Sequence, residues 1–216
     1  MSHGVHAVKH EAEHRMQHDD GHGGHGDGKD FLADRNKLIA LLIAVIALFL
    51  AFSETMGKSA QTSALNHQIE ASNLWNFFQA KNIRRTVTLI ATETAKIDLA
   101  TTNEEARKPP LTKQIDEWTK TAARYRSEPE AGGGKGEGTT ELSRRARAEE
   151  KLRDTMLARY HHYEVASAAF QIGIVLASAT VITGMLALAY GAIGLGLLGL
   201  VFMGIGLFAP HAVHLF

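Results

Sequence analysis

From Val165 to Phe216 the chain runs 52 residues without Asp, Glu, Lys or Arg, and from Leu38 to Ser53 another 16. In lipid no water satisfies backbone N–H and C=O groups, so only helices or closed barrels cross it. A helical span takes roughly 20 apolar residues, or about 17 when flanking charges reach the interface. Residues 37–54, bracketed by Lys37 and Glu54, provide one such length. The last run is too long for one crossing and suits two, 165–184 and 186–210, parted at Thr183 and Gly184, with 211–216 as a short tail. The expected fold is an all-α membrane protein with three transmembrane helices and a long helical, partly coiled-coil soluble region between the first and second. A cleavable signal peptide competes for the first segment. However, LIALLIAVIALFLAF follows 37 residues that include seven acidic ones, so an uncleaved anchor is expected.

The soluble region, 55–164, divides at two breakers. Pro109-Pro110 cannot donate backbone bonds and disfavours helix in the residue before it; EAGGGKGEG, 130–138, is the second break. This predicts a helix from about Ser59 to Thr102, another from about Leu111 to Ser127, and a third from about Thr140 into the second span. The first would extend about 66 Å at 1.5 Å per residue. Along it, Ile69, Asn73, Asn76, Ala80, Ile83, Val87, Ile90, Thr94 and Ile97 alternate in steps of four and three, the spacing of a coiled-coil seam. A helical hairpin within one chain is the equal alternative. On the returning helix, Leu142, Ala146, Leu152, Met156, Tyr160 and Tyr163 make a partial stripe, expected to pack only from Leu152 onward. Before that point Arg144, Arg145, Arg147, Glu149, Glu150 and Lys151 read as a solvated charged face. The membrane-proximal parts of the two long helices are expected to pack antiparallel.

Cysteine is absent and formal net charge is zero, which removes disulfides, thiolate metal sites and cysteine nucleophiles, and gives no footprint for nucleic acid. The expected partners are membrane lipid, further copies of the chain and other membrane proteins. No nucleophile stands beside a base and no phosphate-binding loop occurs, so no enzyme is expected. His161 and His162 read as interfacial anchors, with pH sensing as the alternative. His211 and His214 are a weak ligand pair, and Trp75, Phe77 and Phe78 read as core.

Residues 1–36 form a His- and Gly-rich tail, expected to be flexible. His3, His6, His10, His14, His18, His22 and His25 follow one another at steps of three or four, so a helix would stack them on one face. Neutral imidazoles bind Zn, Ni or Cu, but the glycines after residue 20 oppose the fixed geometry of a selective site. In the third span, Ala189, Ala192, Gly196, Gly199 and Gly206 share a face, with Met185 and Met203. Such small-residue faces let helices approach closely in lipid. Three readings stand: an oligomer interface, packing inside the chain's own bundle, and a pore lining. Lys29, Arg35 and Lys37 ahead of the first span favour a cytoplasmic N-terminus and a periplasmic helical region, although Arg147, Lys151, Arg153 and Arg159 vote the other way.

The stretch SNLWNFFQAKNIRRT (72–86), with GKSAQTSALNHQIEA before it, RYRSEPEAGGGKGE and FQIGIVLASATVITG, resembles a bacterial inner-membrane family of unknown function, domain of unknown function 4337. The likeness covers about residues 36–185. It implies a three-span inner-membrane protein with a helical soluble region and assigns no functional residue. Function is therefore expected to be that of a non-enzymatic oligomeric membrane scaffold, with a channel lined by the third span and a metal-binding membrane protein as alternatives.

Overall fold

The computed structural model describes residues 26–129 and 135–213, with side chains from residue 35, and all regular structure among them is helical. Four α-helices follow in order: α1 (Gly26–Thr101), α2 (Lys108–Arg126), α3 (Thr139–Thr183) and α4 (Leu186–Phe208), with a 3-10 turn at Glu105–Arg107 before α2. Three of them, α1, α3 and α4, are long and apolar enough to cross a membrane.

The first span and the soluble helix that follows it are one uninterrupted α1. The junction AFSETMGKSA has no proline and a single glycine, Gly57, so nothing in it breaks a helix. Pro109 and Pro110 do not separate helices either; they lie in the first turn of α2, where the missing N–H would have no helical partner. The break itself falls after Thr101. Between α3 and α4 the chain turns at Gly184, whose φ of +71° is the left-handed conformation a side chain disfavours. Its N–H closes the helix on the Thr180 carbonyl at 2.9 Å.

The described residues fall into two compact units. The first lies within Met1–Leu50 and Ala168–Leu198. Its core is Ile39, Ala177 and Ala192, with Leu42, Ile43 and Leu176 against them. Small residues set the spacing there: a Cβ added at Gly173 would stand 3.4 Å from the Ala192 carbonyl oxygen, and one at Gly196 would stand 3.6 Å from Ile46. Phe49 and Phe170 stack at 6.2 Å.

The second unit lies within Ala51–Ser167 and Gly199–Phe216. Here α1 and α3 run antiparallel, tied by Ser53 Oγ to the Tyr163 carbonyl at 2.9 Å, His67 to Glu149 at 2.7 Å and Trp75 Nε1 to Glu150 at 2.9 Å. Leu74, Leu142 and Ala146 form its core, flanked by Trp75 and Phe78. This extends the expected stripe on α3 toward its start: Leu142 and Ala146 are fully buried, and of the later positions Tyr163 is buried and Met156 and Tyr160 are half-buried, while Leu152 is 44% exposed. The aromatic cluster of α1 covers the early positions, and part of the surrounding charge finds partners, while Arg144, Arg147 and Lys151 are exposed. Glu149 and Glu150 bond to α1, and Arg153 reaches Gln68 Oε1 at 2.7 Å, so this face is not simply solvated.

Candidate functional site

The second unit contains a polar clasp built around Lys81. This lysine is only 7% exposed. Its ammonium lies 5.4 Å from the centre of the Phe77 ring and 5.8 Å from that of Tyr125, close enough for cation–π attraction. Glu128 at 3.2 Å and Glu137 at 3.5 Å supply the opposite charge. The end of α2 and the start of α3 are thereby drawn to one point on α1.

Glu141 completes the clasp. Its carboxylate accepts from Ser127 Oγ at 2.7 Å and from the Glu128 N–H at 3.2 Å, and Thr139 Oγ1 donates to the Arg126 carbonyl at 3.2 Å. Burial pushes the Glu141 carboxyl up, but the hydrogen bonds from Ser127 and the backbone, with Arg144 nearby, outweigh it and hold the group below the usual glutamate range. The packing leaves no room for a side chain at Gly138, where a Cβ would fall 2.6 Å from both the Glu128 nitrogen and the Ser127 Cα. Gly136 is similarly confined, with the Glu128 carbonyl oxygen 2.8 Å from the Cβ position. Part of what reads in sequence as a glycine linker is a close-packed joint.

Near the other end of α3, His162 is 1% exposed. Its ring stacks on Phe202, and Nε2 lies 3.1 Å from the Pro210 carbonyl, which can only accept, so Nε2 carries the proton. Thr155 Oγ1 and His211 Nε2 meet at 3.2 Å, giving the segment after α4 a second hold on α3. Gly57 packs against Tyr163 and Gly206 against His162 and Tyr163. His162 is thus an interior packing residue, not the interfacial anchor its position suggests.

The opposite side of α1 is open. In-chain packing uses Ala64, Ala71, Leu74, Lys81, Thr92 and Ala95, all buried. The nine positions from Ile69 to Ile97 at coiled-coil spacing are every one exposed. Ile83 stands 63% exposed, Val87 59%, Ile90 62% and Ile97 63%. Four large aliphatic side chains thus stand uncovered by the chain between Ile83 and Ile97.

The profile of a domain of unknown function, DUF4337, matches residues 35–209. The chain belongs to the DUF4337 family. Neither a curated protein nor a solved structure matches it. The match extends past the likeness expected from the sequence, taking in the glycine-rich α4.

In this DUF4337 chain the seven tail histidines, His3 to His25, lie outside the described residues, as does His214, and no group of metal-ligating side chains occurs among the described ones. Ala192, Gly196, Gly199 and Gly206 of the small-residue face are buried within the chain, and Ala189 is half-buried. Packing inside the chain is therefore what these residues do in the structure. Lys81 and Glu141 are the residues sequence reasoning missed. Lys81 does fall in step with Ala71 and Leu74 at heptad spacing, which is the signal that could have found it.

Proposed function

We propose that this protein is a non-enzymatic scaffold of the bacterial inner membrane that works as a homo-oligomer. α4 and the apolar parts of α1 and α3 anchor it, with the N-terminus cytoplasmic and the helical region, 55–164, periplasmic. The observation that carries this reading is the open stripe of α1, since four large aliphatic side chains, Ile83, Val87, Ile90 and Ile97, each about 60% exposed outside the apolar segment call for another protein surface. Glu70, Arg84, Glu93 and Asp98 stand on its flanks. Light-scattering mass of the full chain in mild detergent tests this. A multiple of 23.5 kDa is expected, and a monomer across several detergents overturns it. Reproducible unitary conductance in planar bilayers would replace the scaffold with a channel.

A further inference from the structure

We propose that α1 lines the axis of a parallel, in-register assembly of three or four copies of this chain, joined along Ile69 to Ile97. This rests on the self-association proposed above and adds its surface, orientation and number. The stripe sorts into the two inward positions of a heptad. Asn73, Ala80, Val87 and Thr94 occupy the position called a, and Ile69, Asn76, Ile83, Ile90 and Ile97 the position called d. The face that packs against the same chain is on the other side, at b and f, where Ala71, Leu74, Lys81, Thr92 and Ala95 are buried. α1 therefore has two opposed seams, and filling the second leaves the chain's own packing intact.

The occupant is a second copy because of what the membrane and the asparagines impose. Copies anchored by the same apolar helices enter the bilayer in the same direction, so their α1 helices are parallel and identical residues meet at the same level. An asparagine side chain carries both a donor and an acceptor and can pair with its own image. Asn73 and Asn76, both exposed, are satisfied by themselves in such an arrangement and set its register, whereas an apolar foreign helix would leave them unpaired. One pairing is adverse, Glu93 of one copy beside Asp98 of the next, and Lys96 offsets it by holding Glu93 at 2.8 Å.

The number follows from side-chain shape. Two-stranded coiled coils favour β-branched residues at a with leucine at d, whereas β-branched residues at both a and d, as where Val87 and Thr94 alternate with isoleucine here, favour three or four strands. Here d carries isoleucine at four levels, and leucine occupies neither position between Ile69 and Ile97.

The chain has no cysteine, so single substitutions report single sites. In membranes containing the full chain, mild oxidation is expected to link Ile83→Cys and Ile90→Cys to the same residue of another copy, but not Asn82→Cys, which is exposed to the side of the stripe. These isoleucines make little contact within the chain, so the substitutions leave its fold unchanged. Wild-type mass is expected at three or four times 23.5 kDa. Replacing Ile83, Ile90 and Ile97 together by leucine is expected to lower the copy number. A wild-type dimer overturns the number, and an unchanged number in the triple variant overturns the d-position isoleucines as its cause. An oligomer in which neither Ile83→Cys nor Ile90→Cys links overturns the surface and leaves the scaffold reading standing. A monomer overturns both.

Discussion

Lys81 and Glu141 hold together a joint that looks like slack in the sequence. Replacing Lys81 by Met keeps most of its packing but removes the ring contacts and leaves Glu128 and Glu137 facing each other. Because those carboxylates are half exposed, the expected cost is modest, about 1–2 kcal/mol, read as a lower thermal midpoint and faster proteolysis within 127–141. Gly138→Ala is expected to cost more, roughly 2–3 kcal/mol, because the clash is with backbone that cannot swing aside. Glu141 makes the joint acid-sensitive. Its native pKa is below the unfolded one, so the stabilisation is fully present above the usual glutamate range of about 4.3 and is lost as pH falls through the lowered native value. Hydrogen exchange at 127–141 should rise over that window, and Glu141→Gln should flatten the dependence. None of this was legible locally. A lysine among charged neighbours reads as solvated until a partner more than 40 residues away is placed beside it.

Among the helices, α4 shows how one residue type has opposite meanings on different faces. A Cβ at Gly206 would come within 3.0 Å of His162 Cβ and 3.1 Å of the Tyr163 ring, while nothing lies within 4 Å at Gly194. Gly206→Ala is therefore expected to destabilise by about 1–3 kcal/mol. Gly194→Ala is expected to be neutral or to stabilise by up to about 1 kcal/mol through helix propensity. Thermal unfolding in one detergent compares the two. On α1 the 3-4 periodicity was legible, as was a helical hairpin; the structure shows the hairpin packing on one face and leaves the periodic residues exposed on the other. Periodicity shows that residues share a side of a helix. It does not say what covers that side.

For the chain as a whole, the histidine tail is separable from the packed helices by sequence: it lies ahead of the family match, which starts at residue 35. Replacing His3, His6, His10, His14, His18, His22 and His25 together by Gln is expected to abolish zinc binding by the full chain while leaving its mass in detergent unchanged. Calorimetric titration and light scattering check the two halves of that statement, and a changed mass would tie the tail to assembly. The sequence by itself determined the three apolar helices, the turn at Gly184 and the absence of cysteine chemistry. Transfer of a side chain into lipid, and the left-handed freedom of glycine, are properties of a segment and need no distant partner. Only the tertiary structure decided that Leu142 and Ala146 are core, that Lys81 is buried, and that the small face of α4 is covered while the stripe of α1 is open. Each of those depends on which remote helix arrives on which side, and burial is a relation between two surfaces.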